Sequence, residues 1–224
     1  LSAISRRQGA RFHTDAAQFV GKAASFNVFP TVDFVSFAGH KLHGPQGIGV
    51  LYARERSLIQ PLCYGGDQEH GLRPGTENLP AILGLAEALR HRIEALDAQI
   101  TQIRFLRDRF ETGLIDRLPS LIINSENARR ICNTSNIQFP GVEGQALVAQ
   151  LSRGGIICSQ TSACTSNRPE PSHVLLAMGL SERQAYPSVR FSFSILNTEG
   201  EIDHAVNSIA ETYQKLLNVP TPLA

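Results

Sequence analysis

The sequence predicts an α/β protein. Three observations lead there. The first quarter carries three short β-branched and aromatic runs separated by glycine-rich turns. The middle repeats apolar residues at spacings of three and four over about nine helical turns. The last half alternates short strand patterns with helix patterns, as an α/β or α+β domain does.

Taken in order, residues 10–15 (ARFHTD) follow Gly9 and form a short strand. Residues 32–37 (VDFVSF) form a buried one, and 48–53 (IGVLYA) a third, entered through the turn-rich GPQG. Residues 65–80 (GGDQEHGLRPGTENLP) make a polar loop, long enough to suggest a functional role. Ile82, Leu85, Leu89, Ile93, Leu96, Ile100, Ile103, Leu106, Phe110 and Leu114 mark a long helix, expected to be broken once. Beyond it, strands are expected at 121–124, 131–139, 155–158 and 188–193, and helices at 142–151, 172–178 and 199–217. A polar loop covers 159–171. The domain organisation read from this order is 1–80, a linking long helix at 81–118, and a smaller domain at 119–224.

Composition narrows the function classes. The 224 residues are 42% hydrophobic and 18% charged, ordinary values for a globular chain. The 21 basic and 20 acidic side chains leave a net charge of +1, with no basic run, so neither nucleic acid nor an anionic membrane surface is an expected partner. No apolar stretch approaches the ~20 residues of a membrane span. The opening LSAISRRQGARF lacks the pattern of a secretory signal, and it resembles the end of a helix already under way. The chain is therefore expected to be part of something longer. No two of Cys63, Cys132, Cys158 and Cys164 have C-x-x-C spacing, so reduced thiols in the cytoplasm are expected, with Cys63, Cys132 and Cys158 structural.

Two residues carry the first chemical signal. Asp15 ends the first strand. Lys41 follows the second, after Gly39 and His40. Ligands of open α/β sheets sit at such carboxyl ends. A carboxylate and an amine there suit pyridoxal 5′-phosphate (PLP), whose aldehyde needs the amine and whose pyridine nitrogen needs the carboxylate. Alone, each is more often a turn former or a solvated charge. Their surroundings carry further weight: FHTDAAQFVGK, VDFVSFAGHKLHGPQGIGVLY, GGDQEHGLRPGTEN and TSACTSNRPEPSHVLLAMGL occur in this order.

On those strings the chain resembles the class V aminotransferases, most closely the NifS/IscS-like cysteine desulfurases, from its first residues to about Val206. The resemblance implies part of a PLP fold type I large domain followed by an α+β small C-terminal domain. It implies that Asp15 pairs with the pyridine nitrogen, Gln18 contacts the phenolic oxygen, His40 the phosphate, and Lys41 carries the cofactor. Thr76 would reach the phosphate of a neighbouring subunit, which implies a homodimer. Cys164 would take sulfur from L-cysteine as a persulfide and pass it to an acceptor protein, either an iron–sulfur scaffold or a tRNA-thiolation carrier. Its place in a polar loop suits a reactive thiol. No metal is expected.

The chain also departs from the family. Ile195 stands in RFSFSILNTEGEID where the family has the arginine that anchors the substrate carboxylate, and Ala38 stands where serine is common. Isoleucine cannot replace a bidentate guanidinium contact. Another amino acid substrate, served by a lyase or transaminase, is therefore the alternative. The family's upstream phosphate loop, its ring-stacking histidine and an asparagine near the phenolic oxygen have no counterpart here. The chain alone is accordingly expected to bind PLP poorly and to be inactive, and a truncated non-catalytic homologue is the third reading.

Overall fold

The structure is a computed structural model that describes residues 1–24, 31–160 and 170–218. The chain forms two compact units, Leu1–Ile100 and Thr101–Ala224.

In the first unit a short helix α1 (Ser2–Arg7) precedes strands β1 (His13–Asp15), β2 (Phe34–Ala38) and β3 (Gly49–Ala53). β1 and β2 run parallel with Asp15 opposite Ser36, and β3 returns antiparallel with Leu51 opposite Ser36. Period-2 alternation separates two faces. Val35 and Phe37 of β2 point into a core shared with Ala16, Val20, Val32, Leu42 and Leu85. His13, Asp15, Phe34, Ser36, Ala38 and Leu51 share the other face, where His13, Asp15 and Leu51 are exposed.

Asp33 pins the start of this pairing. Its carboxylate accepts from the Phe12 N–H (2.9 Å) and from Arg54 (2.6 Å). The bond from Phe12 and the Arg54 guanidinium outweigh burial and hold the carboxyl below its usual range.

Helix α2 (Leu79–Glu94) starts at Asn78, whose side chain accepts from the Ala81 N–H. The expected long helix is broken at Ala95, and α3 (Leu96–Arg117) follows.

The second unit contains an antiparallel sheet of β4 (Ile122–Ile123), β5 (Thr134–Gln138) and β6 (Ser188–Ser192), in the order β4-β5-β6. Ser135 and Ile137 of β5 align with Phe191 and Val189 of β6 on the packed face. Phe110 of α3 lies 4.9 Å from Phe191 and 5.2 Å from Phe193, ring centre to ring centre. On the opposite face Asn124, Asn136, Gln138 and Ser188 form a hydrogen-bonded network. Helices α4 (Gly144–Arg153) and α7 (Glu199–Leu217) pack together, with α5 (His173–Ala177) and the short α6 (Glu182–Ala185) between them in sequence. Thr198 and Glu201 cap α7 reciprocally.

Three expectations differ from the structure. Residues 155–158 are not a strand: Gly155 is left-handed (φ +82°) and the Ile156 N–H returns to the Leu151 carbonyl, so the first two close α4 and Ile157 and Cys158 follow without regular structure. Among the described residues of this segment, Ser159 bridges to Arg190 of β6. Helix α6 was not anticipated. Cys63 is exposed rather than packed, between Leu62 and Tyr64, which are themselves exposed; Cys132 is buried. No helix among the described residues is long and apolar enough to cross a membrane.

Candidate functional site

The carboxyl ends of β1 and β2 emerge at one edge of the first sheet because the two strands are parallel neighbours in register. At the first end the chain turns at Asp15. Its Oδ1 accepts from the Ala17 N–H at 2.8 Å, an Asp-side-chain turn that fixes the carboxylate's direction. Helical turns follow: the Val20 N–H donates to Ala16 and the Ala23 N–H to Phe19. Ala16 and Val20 are buried, and Gln18 is exposed.

At the second end, β2 runs into a single 3₁₀ turn, Gly39–Leu42. Leu42, 3% exposed, sinks into the core beside Val20 and Val35, leaving His40 and Lys41 exposed. A side chain at Gly39 would meet Ile48 Cγ2 at 2.9 Å and the Pro45 carbonyl at 3.1 Å. The glycine is thus required by the return of its own loop. Helix α2 backs this loop: a Cβ at Gly84 would lie 2.6 Å from Pro45 Cγ.

The same edge therefore carries Asp15, Gln18, His40 and Lys41. His13 shares the Asp15 face and its Nε2 lies 2.9 Å from Ser36 Oγ. Thr76 is exposed in the loop two residues before the α2 cap. Cys164 lies outside the described residues. Ile195 is half-buried in the turn after β6, where the Ser194 N–H donates to Asn197 Oδ1 at 2.9 Å.

Beneath the edge lies a group that sequence reasoning missed. Lys22 is 7% exposed and its Nζ donates to Gln18 Oε1 at 2.6 Å. Arg92 of α2, 4% exposed, donates to Gln99 Oε1 at 2.5 Å. A Cβ on Gly21, which has φ +70°, would come within 2.6 Å of Arg92 Cγ and 2.7 Å of Leu42 Cδ2. Desolvation, with the charges of Arg92 and Lys22, pushes the His43 imidazole below its ordinary value. In sequence Lys22 closes the string FHTDAAQFVGK, four residues after Gln18, but nothing there marks it as buried.

The donor set fits PLP. Asp15 offers a fixed carboxylate for a pyridine N–H, Gln18 offers an amide already bonded through its oxygen, and Lys41 offers an exposed amine. Among the described residues no group of three or more His, Cys, Asp or Glu side chains could hold a metal.

Residues 1–205 match the Aminotransferase class-V family. The cysteine desulfurase of Gluconacetobacter diazotrophicus is 43% identical over 219 residues, 96% of this chain and 54% of that protein. The cysteine desulfurase NifS of Azotobacter vinelandii is 40% identical over 98% of this chain and 54% of its own length. Among solved structures, a NifS-like protein superposes with a TM-score of 0.84 at 34% identity, over 95% of this chain and 55% of that one. A NifS-like protein from Rickettsia africae superposes with a TM-score of 0.80 at 30% identity, over 97% and 56%. The chain spans about half the length of the curated relatives it matches.

Proposed function

Since the chain belongs to the class-V aminotransferase family, we propose that it is part of a PLP-dependent cysteine desulfurase that releases alanine from L-cysteine and holds the sulfur as a persulfide on Cys164. The observation that carries this reading is the shared edge at which parallel β1 and β2 present Asp15 and Lys41, with Gln18 beside them.

When bound, PLP supplies an electron sink for bonds at the substrate's α- and β-carbons. In this reading the chain's residues hold and orient it. Lys41 provides the amine that takes the aldehyde. Asp15 keeps the pyridine nitrogen protonated, and Gln18 donates to the phenolic oxygen. His40 meets the phosphate, and Thr76 meets the phosphate of the second subunit of a homodimer. The Cys164 thiolate attacks the substrate sulfur. The C–S electron pair leaves with carbon, which is protonated to give alanine, and the sulfur passes on to an iron–sulfur scaffold or a tRNA-thiolation carrier. A cytoplasmic setting, where thiols stay reduced, suits that cycle.

Ile195 favours a second reading, a lyase or transaminase acting on another amino acid, because its side chain offers no cation to a substrate carboxylate. The test uses the native protein that contains this chain, supplied with PLP and L-cysteine. Equimolar alanine and persulfide sulfur are expected, with sulfur transfer lost in Cys164→Ala and cofactor attachment lost in Lys41→Ala. Turnover of a different amino acid in preference to cysteine would establish the second reading instead.

A further inference from the structure

We propose that Lys22 is a positioning residue that dictates which end of the Gln18 amide faces the ligand, presenting its NH₂ as a donor. The proposal rests on the PLP reading of this edge for what the ligand is, but not for how the amide is turned.

The argument begins with the ammonium group. It has three N–H donors and no acceptor. Whatever lies 2.6 Å from Lys22 Nζ must therefore be the carbonyl oxygen of Gln18, not its NH₂. The opposite rotamer would set two donors against each other and leave a 7%-exposed cation without that acceptor. A charge-assisted bond in such a setting disfavours the flipped amide by at least about tenfold. Lys22 is held in place by the turn below it. Gly21 adopts φ +70° and lies against Arg92 and Leu42 too closely for any side chain, and Lys22 after it is 7% exposed. With Oε1 turned to the buried ammonium, the Nε2–H groups of the exposed Gln18 are the end left for the sheet edge.

Such a contact selects an oxygen with lone pairs and no proton. On the bound cofactor that is the phenolic oxygen in its deprotonated form. Lys22 thus acts on the ligand through Gln18.

Two readouts test the idea, in Lys22→Met, which keeps the length and removes the ammonium. The first needs no cofactor. The Gln18 side-chain amide resonances, identified by their loss in Gln18→Ala, are expected to move in Lys22→Met; unchanged resonances would overturn the proposal. The second uses the native protein loaded with PLP. The pH midpoint of the cofactor's visible absorbance is expected to rise by about half a unit to one unit in Lys22→Met, and to show no further rise when Lys22→Met is added to Gln18→Ala. A shift of equal size in the Gln18→Ala background would mean that Lys22 acts on the cofactor directly, and would refute a role through Gln18. If Lys22→Met does not fold, Lys22→Arg is read in its place: it keeps a donor-only cation and should leave the Gln18 resonances near their wild-type positions, and an altered amide would count against the idea. A native protein with no Lys41-dependent visible band would refute the PLP reading, while the amide resonances would still decide the role of Lys22.

Discussion

Gly21→Ala probes the packing beneath the candidate site, and two separable effects set its magnitude. The first is conformational. At φ +70° an alanine is strained relative to glycine by about 1 kcal/mol. The second is steric. The new methyl would stand 2.6 Å from Arg92 Cγ and 2.7 Å from Leu42 Cδ2, both inside normal carbon–carbon contact. Leu42 can give way at its tip. Arg92 is 4% exposed and bonded to Gln99, so its stem has little room to move. Overpacking of this kind costs about 1–3 kcal/mol, and the sum is about 2–4 kcal/mol. Gly21→Asn separates the contributions, because asparagine tolerates the left-handed region but adds more bulk. Urea denaturation, read at the midpoint with the slope held in common, should show both variants destabilised and Gly21→Asn at least as severely as Gly21→Ala. Adding Leu42→Ala should relieve part of the Gly21→Ala penalty, giving a double mutant less unstable than the sum of the singles. Gly21→Asn within about 0.5 kcal/mol of wild type, or strict additivity with Leu42→Ala, would refute the steric account.

Three further outcomes are expected. Glu111, 9% exposed at its side chain, accepts two bonds from Arg130 at 2.7 and 3.0 Å; Glu111→Ala should cost about 3–5 kcal/mol in denaturation, whereas Asp203→Ala, which breaks an exposed pair with Arg109, should cost far less and lose that effect in high salt. Burial pushes the Cys158 thiol up to about 11, so iodoacetamide at pH 8, followed by mass spectrometry, should label exposed Cys63 well before Cys158. His43 is held below its ordinary value of 6.5, so below that pH the unfolded chain takes up the proton before the folded one. Stability should therefore fall as pH drops below about 6.5, and that part of the slope should vanish in His43→Gln when melting is followed across the range.

Much of the architecture was legible because it is carried by local periodicity. The β-branched and aromatic runs at 32–37 and 48–53 identified β2 and β3, and the three-and-four spacing identified α2 and α3. Helix α7 was expected at 199–217 and spans Glu199–Leu217, and the structure closes its first turn with reciprocal Thr198–Glu201 bonds, a local arrangement that needs no distant segment. Residues 155–158 misled because Ile156, Ile157 and Cys158 suit a strand by composition, while Gly155 in the left-handed region turns Ile156 back onto the end of α4. Glycine at that position signals a helix stop as readily as a strand start, and only the bond from Ile156 back to Leu151 decides between them.

The same division runs through the site. Lys41, Asp15 and Gln18 were singled out by sequence alone, since their order and flanking strings specify a family and since each follows or ends a recognisable strand. That β1 and β2 are adjacent and parallel, so that both strand ends open at one edge, is a pairing between distant segments, and it came from the tertiary structure. So did the need for glycine at position 39, imposed by Pro45 and Ile48. Lys22 and Arg92 show the limit most clearly. In sequence a lysine after a glycine and an arginine on an amphipathic helix are ordinary solvated charges. Burial is a property of what packs against a side chain, and periodicity along the chain does not encode which other segment that will be. The fold brings the Gly21 turn against Arg92 and sets Lys22 under Gln18, and so turns Lys41's edge from a set of residue types into one with a defined direction of hydrogen bonding.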